Sequence, residues 1–209
     1  MKNHTIPSPA VQRLSLYLRR LEQLDVEGAQ TISSHRLARD LHITAAQLRK
    51  DLAYFGQFGR PGVGYRVRPL IDELRHILGT DRTWPVVVVG VGDLGRALLR
   101  YRGFHRKGFE FVAAFDIAPG KVGKRFGPII VQHLDELPQV VSEYRVRLGV
   151  IATPPESAQA VAELLGRCGV QGILNFAPVT LQMPPDVSVA PVDLAASLEQ
   201  LAFQVLSTE

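Results

Sequence analysis

The chain has 209 residues, 24 Lys/Arg against 20 Asp/Glu, and a formal charge of +4. At 46% hydrophobic and 21% charged residues it has a globular composition, which excludes wholesale disorder. The single cysteine, Cys168, excludes an internal disulfide framework and a zinc site of paired cysteines; apolar runs fall far short of the ~20 residues that span a bilayer, and residues 1–5 lack a secretory h-region, so the sequence reads as soluble and cytoplasmic.

Charge is placed unevenly. Residues 1–80 carry a net +5 and residues 81–209 a net −1. Within the first part, residues 43–68 hold Arg49, Lys50, Arg60, Arg66 and Arg68 against Asp51 alone. A basic stretch on a nearly neutral chain implies an anionic partner such as nucleic acid, or else a solvated face. The helix and strand pattern changes at the same place, with residues 79–85 as the connector.

Ser8-Pro9 predicts a helix start, with a hydroxyl N-cap and proline at the first helical position. Val11, Leu14, Leu18 and Leu21 then share one face, and Gly28 ends the run. Ser33 or Ser34 caps a second, shorter helix with Leu37, Ala38 and Leu41 inward. A tight junction at His42-Ile43 leads to a third helix that runs to about Phe55. Thr44 and Gln47 have the spacing of a capping box, in which hydroxyl and amide satisfy each other's orphan N–H groups. Leu48, Leu52 and Phe55 form the buried stripe of that helix; Gln47, Arg49, Lys50, Ala53 and Tyr54 form the other face.

These are the parts of a helix-turn-helix, whose second helix lies in the DNA major groove. There Gln reads adenine, and Arg or Lys reads guanine or holds phosphate. A three-helix bundle with an ordinary polar surface is the alternative. Residues 56–68 contain four glycines, then Val63, Tyr65 and Val67 at alternating positions. The alternation predicts a strand with Gly64, Arg66 and Arg68 on its opposite face. A basic hairpin in this position is the wing of a winged helix, and a helix over about 69–78 follows. The expected DNA-contacting set is Thr44, Gln47, Arg49, Lys50, Tyr54, Arg60, Gly64, Tyr65 and Arg66.

Pro85–Val89 reads as a buried strand. It leads into Gly90-Val91-Gly92-Asp93-Leu94-Gly95 and a helical run to Tyr101. G-x-G-x-x-G alone is weak; between strand and helix it has the context of the dinucleotide fingerprint. Gly90 permits the tight turn, Gly92 lets backbone approach a pyrophosphate, and Gly95 packs helix on strand. The helix N-terminus supplies free N–H groups for the phosphates. A second strand over 111–115 ends at Asp116, 21 residues past Gly95, where an acid accepts from a ribose and favours NAD over NADP; Lys121 and Lys124 lie close enough to weaken that preference.

Strands at 129–131, 148–152, 172–176 and 187–192 alternate with helices at 134–142 and from 155 to Leu165, as in a doubly wound parallel sheet. Ligands in such sheets bind beyond the strand C-termini. The cofactor set is therefore Gly90–Gly95 (with Val91, Gly92, Asp93 and Leu94), Asp116, Ile117, Thr153, Pro154, Asn175, Phe176, Ala177 and Pro178. Asp193 caps a last helix with Leu194, Leu198, Leu201 and Val205 on one face, which covers the sheet or packs on a second subunit.

Dehydrogenase chemistry needs a proton donor or acceptor near the nicotinamide. No Tyr-x-x-x-Lys or Ser-His-Asp arrangement is present, His105 and His133 have weakly defined contexts, and the 125 residues from Pro85 leave little room for a substrate domain. Sensing, not turnover, fits that absence, and no metal is called for. A small NAD-dependent oxidoreductase with a helical extension, and a CoA- or nucleotide-binding subunit of a larger enzyme, are the competing readings; neither needs residues 44–68.

Nearly the whole chain resembles the redox-sensing transcriptional repressor family Rex. The specific stretches are Thr44–Gly56, Gly62-Val63-Gly64-Tyr65, Leu74–Gly79, the glycine fingerprint and Gly172-Ile173-Leu174-Asn175-Phe176-Ala177-Pro178. The resemblance implies a winged-helix DNA-binding domain over 1–80, a Rossmann NAD(H)-binding domain over 85–192 and a domain-swapped dimerisation helix over 193–209. It further implies a homodimer on an inverted-repeat operator, released by NADH in preference to NAD+, with Tyr101, Asp193, Leu194, Leu198 and Leu201 at the dimer and switch contacts. In relatives a bulky aromatic follows the acid matching Asp193; here it is Leu194, so the nicotinamide contact is not assigned by resemblance. A pocket edged by Phe176, Ala177 and Pro178 should prefer the neutral reduced ring. Arg49 is the expected holder of an acid such as Asp193 of the second subunit in one arrangement, and of a phosphate in the other.

Overall fold

The computed structural model describes residues 7–60 and 62–207, in which the chain forms two compact units, Met1–Arg82 and Thr83–Glu209. The first runs α1 (Ser8–Val26), β1 (Thr31–Ile32), α2 (Ser34–Asp40), α3 (Ala45–Ala53), β2 (Gly59–Arg60), β3 (Gly64–Arg66) and α4 (Val67–Ile77). Its core gathers Leu14, Tyr17, Leu21, Leu37, Leu48 and Leu74.

α1 starts one residue earlier than expected. Pro7 is the N-cap and its carbonyl accepts from Ala10 N–H at 2.8 Å, so Ser8 is the first helical residue, not the cap. Val11, expected inward, is 39% exposed; Ala10, Leu14, Tyr17, Leu18, Leu21 and Leu24 form the buried stripe. Ser33 caps α2 by accepting from Arg36 N–H. The junction to α3 turns at His42, a non-glycine residue with φ +54°.

Thr31 and Ile32 pair antiparallel with Arg66 and Tyr65, giving a three-stranded sheet of order β1-β3-β2 that local pattern does not reveal. The wing strand is shorter than the Val63–Val67 alternation predicts. Val63 is exposed in the turn, whereas Val67 is fully buried as the first residue of α4, its N–H donating to Gln30 O at 3.0 Å. Core packing thus takes Val67 out of the strand. Arg68 goes with it and pairs with Asp25 of α1 instead of facing outward along the wing.

The second unit runs β4 (Trp84–Val89), α5 (Asp93–Arg100), α6 (Gly103–Arg106), β5 (Phe109–Asp116), β6 (Arg125–Phe126), β7 (Ile129–His133), a 3-10 turn (Leu134–Glu136), α7 (Leu137–Glu143), β8 (Leu148–Ile151), α8 (Pro155–Arg167), β9 (Gly172–Asn175), β10 (Ser188–Pro191) and α9 (Leu194–Leu206). The sheet order is β10-β9-β8-β4-β5-β7-β6, parallel throughout except for β6. Without β6 this is the order of the doubly wound dinucleotide-binding fold, and it reverses between β4 and β8, where such sheets bind ligands. Val87, Val88 and Val89 are buried on both sides of the central strand, as a parallel sheet requires.

The two faces differ. α7 and α8 cover one, with Leu137, Val141, Ala158, Val161 and Leu165 against the sheet. The other has α5 and the short α6, and leaves an apolar hollow of about 350 Å³ lined by Phe104, Phe109, Phe111, Leu148, Val150 and Leu174. α9 buries none of its residues in this chain. Among the described residues, no helix is long and apolar enough to cross a membrane and no group of three or more His, Cys, Asp or Glu gathers as a metal site.

Candidate functional site

β4 ends in a turn that only glycine satisfies. Gly90 sits at φ +95°, and a Cβ there would lie 2.5 Å from Ala152 O, so β4 and β8 meet too closely for a side chain. A Cβ at Gly95 would run into the Gly90 carbonyl; its absence lets α5 pack directly on the turn. Gly92, the N-cap of α5, has nothing within 4 Å of its Cβ position and no side chain caps the helix. The free first-turn N–H groups and the helix dipole face an open cleft of about 530 Å³ that Gly90, Gly92, Asp93, Leu94, Asp116 and Thr153 help to line.

Asp116, at the C-terminal end of β5, is 7% exposed. Its Oδ2 accepts from Val91 N–H at 2.8 Å and Lys121 Nζ at 2.8 Å, and its Oδ1 from Ala118 N–H at 3.0 Å. Burial pushes the carboxyl pKa up, but the bonds from Lys121, Ala118 and Val91 outweigh it and hold it below the usual range. Across the cleft, Thr153 Oγ1 is buried without a protein partner. An unspent hydroxyl, an uncapped helix start and space at Gly92 fit a phosphate-bearing dinucleotide. Ile117 is exposed at the rim, and Pro154 caps α8 beside Thr153. Val91 and Gly95 are buried beneath the loop.

The remaining cofactor candidates lie elsewhere. Asn175, Ala177 and Pro178 line a second hollow of about 330 Å³ that also includes Val192 and Asp193. Asn175, expected to face ligand, is 1% exposed and fully used: Nδ2 donates to Ala177 O and Val179 O, and Oδ1 accepts from Ala177 N–H, each at 3.0 Å. It shapes the turn after β9. Phe176 packs against the face of the sheet that carries α5.

On α3, Thr44 Oγ1 accepts from Gln47 N–H at 3.1 Å. The capping box is half formed, because the Gln47 amide turns away from Thr44 and donates to Asp51 Oδ1 at 2.7 Å. Asp51 also takes two bonds from Arg13, at 2.6 and 2.8 Å, and one from the Tyr17 hydroxyl at 2.6 Å. Burial pushes its pKa up, and the bonds from Arg13, Tyr17 and Gln47 bring it below the ordinary value. The hydrogen bond to Asp51 raises Arg13; burial, then Asp51, raises Tyr17. The Gln47–Asp51 spacing of four was a legible helix pair; the contribution of Arg13 and Tyr17 from α1 was not.

Arg49, Lys50, Tyr54, Arg60 and Arg66 are exposed. Arg49 Nη1 donates to Ser34 Oγ at 3.0 Å, which ties α3 to the start of α2. Tyr65, expected among the DNA contacts, is only 7% exposed: its ring sits beneath Gly59, and burial raises its pKa. Gly64, at φ +90°, abuts the Ile32 carbonyl and serves the sheet rather than an outer face. Tyr101 is 62% exposed, its ring edge-on to Phe104 at 5.2 Å. Asp193 caps α9, accepting from Ala196 N–H at 2.9 Å, and Leu194, Leu198 and Leu201 are exposed beyond it.

Comparison with known proteins matches both units. Residues 5–53 match the family model of a putative DNA-binding protein N-terminus, and residues 81–179 that of a CoA binding domain. The chain is 46% identical over 206 residues to the redox-sensing transcriptional repressor Rex of Syntrophobacter fumaroxidans, covering 98% of each. Among solved structures, RSP, a Rex-family repressor, in complex with β-NAD+ and operator DNA is similar with a TM-score of 0.92 and 35% identity, covering 98% of this chain and 94% of that one. RSP in complex with β-NADH is similar with a TM-score of 0.89 and 31% identity, covering 99% and 97%. Full-length identity at this level, over a helix-turn-helix followed by a glycine-loop sheet, places the chain in the Rex family of redox-sensing transcriptional repressors.

Proposed function

We propose that two copies of this chain bind an inverted-repeat operator through α3 and the β2–β3 wing, and release it when NADH enters the glycine-loop cleft. The observation that carries this reading is the full-length match to repressors of that name, in a chain whose own cleft has free N–H groups at Gly92 and an unspent hydroxyl at Thr153. The enzyme reading is not favoured, since the relatives it matches are repressors. The site of action is the cytoplasm, with the DNA.

In this reading the backbone at Gly92 and the first turn of α5 hold the pyrophosphate, Asp116 accepts from the adenosine ribose, and Thr153 and Pro154 line the path toward the nicotinamide end. NADH brings a neutral ring where NAD+ brings a cationic one, and that difference is the redox information. Lys50, Arg49, Arg60 and Arg66 supply cations for phosphates and base edges; their share of binding falls with salt.

Dimerisation is supported by two unpartnered surfaces. α9 exposes Leu194, Leu198, Leu201, Phe203, Val205 and Leu206, each 55% or more exposed, and the sheet face around Phe109, Phe111 and Leu174 is open. A helix exchanged between two copies buries both, through an isologous interface. A complete switch from 1:99 to 99:1 needs NADH to favour the released arrangement by about 5.5 kcal/mol.

Fluorescence anisotropy on inverted-repeat promoter DNA, with NADH and NAD+ titrated separately, tests reader, ligand and switch together. NADH should release the DNA at concentrations where NAD+ leaves it bound. Equal effects of the two, or none, would refute the sensor.

A further inference from the structure

Asp51 is the lone carboxylate between residues 43 and 68, and it is fully buried. Each of its oxygens accepts two bonds: Arg13 Nε and the Tyr17 hydroxyl on Oδ2, Arg13 Nη2 and Gln47 Nε2 on Oδ1. A guanidinium can only donate, and an ionised carboxylate can only accept. Gln47 is different. Its carboxamide has a donating and an accepting end of nearly the same shape, and a half-turn of the last torsion exchanges them. Facing water, the two orientations are close in energy. Facing Asp51 they are not: the flipped amide sets Oε1 against Oδ1, losing a hydrogen bond and placing a partial negative charge against a full one. The carboxylate stays ionised at neutral pH because its bonds hold it below the ordinary range.

We propose that Asp51 determines base specificity without touching DNA: it holds the Gln47 carboxamide with Nε2 inward and leaves the carbonyl Oε1 as the outward group. The inference rests on the reading of α3 as the recognition helix. An outward acceptor pairs with a base that shows an exocyclic amine in the major groove, adenine N6 or cytosine N4, and is repelled by thymine O4 and guanine O6. Gln47 keeps a second N–H, and adenine alone puts an acceptor, N7, beside its amine. The base under Gln47 is therefore adenine. Arg13 and Tyr17 contribute by fixing the carboxylate against α1, so that it cannot swing to follow a flipped amide.

The test uses the full-length protein and duplexes selected by it from a randomised pool, with each base pair then changed in turn. Gln47→Ala locates the position, as the one whose preference it erases. There the unaltered protein should favour adenine over guanine and thymine by about tenfold or more. A purine lacking the 6-amino group should lose most of that advantage. Asp51→Asn should shrink the preference to less than about threefold while the salt slope of binding stays as it was. The double variant should show the same base preference as Gln47→Ala alone.

A preference for thymine or guanine at that position, or indifference to the missing amine, overturns the proposal. So does a Gln47→Ala protein that reads every position as before, or an Asp51→Asn protein that weakens on all sequences alike with its preference intact. The base-analogue measurement needs no variant of Asp51, and so decides even where Asp51→Asn fails to fold. Failure of the unaltered protein to select any duplex would strike the DNA reading itself.

Discussion

Asp116, at the end of β5, accepts a hydrogen bond from the backbone N–H of Val91 at 2.8 Å, which ties the acid of the second strand to the glycine turn after the first. The residue expected to meet a ribose is thus also part of the frame that shapes the glycine turn. Removing it acts on both.

Asp116→Ala should therefore weaken NADH binding by about tenfold or more and also cost on the order of 1–3 kcal/mol of stability, because the Val91 and Ala118 N–H groups lose their acceptor. Asp116→Asn keeps one acceptor oxygen and should cost less on the second count. Titration followed by NADH fluorescence, together with thermal unfolding, checks the pair. Unchanged NADH affinity in Asp116→Ala would remove the residue from the binding site.

Two glycines of the fingerprint should separate ligand binding from folding. Gly92→Ala places a methyl in open space at an ordinary φ of −81°, so the protein should unfold near the unaltered temperature yet bind NADH at least about tenfold more weakly. Gly95→Ala drives its methyl into the Gly90 carbonyl and should cost roughly 1–3 kcal/mol. Equal unfolding temperatures for the two variants would contradict this division.

Leu198→Glu with Leu201→Glu should yield a folded monomer. Both side chains are more than half exposed in the single chain, at 67% and 55%, so charge there costs the fold little. Exchange of α9 between copies, in contrast, would bury that charge. Sedimentation velocity reads the outcome, and a variant that remains dimeric removes α9 from the interface.

Stability should depend on pH through Asp51 and Asp116, both held below the ordinary carboxylate range. Their folded pKa values lie under the unfolded value of about 3.9, so the unfolded chain takes up protons first as pH falls. Their stabilisation is then complete above that value and lost as pH drops from there through the folded pKa values. Thermal unfolding of Asp51→Asn should lose part of the acid-side decline seen in the unaltered protein. A variant with the same pH profile would show that Asp51 has no such shift.

Local pattern made most elements legible. Val86–Val89 reads as a buried strand because four β-branched residues in a row have no polar face to show water, and the glycine spacing after it marks the turn wherever the strand lies. α2 and α3 were recoverable from their hydroxyl caps at Ser33 and Thr44. β1 was not. Two residues, Thr31 and Ile32, carry no period, and they become a strand only because β3 presents its edge to them.

The same limit runs through the candidate sites. Side-chain chemistry and spacing along one helix or turn made Gln47, Lys50 and Gly92 candidates, because those signals depend on neighbours a few residues away, whereas Asp116 was picked out by its distance of 21 residues from Gly95. Tyr65 and Asn175 prove buried, which alternation and strand-end position do not announce: Tyr65 packs into the core of the first unit against Gly59, and Asn175 spends its amide on Ala177 and Val179 in the turn that follows it. By itself the sequence determined the two-part architecture, the glycine turn and the basic third helix, all written in short-range periodicity and stereochemistry. Only tertiary structure decided that Asp51 meets Arg13, 38 residues away, and Asp116 meets Val91, 25 away, since hydrogen-bond partners across a core are chosen by packing and not by spacing.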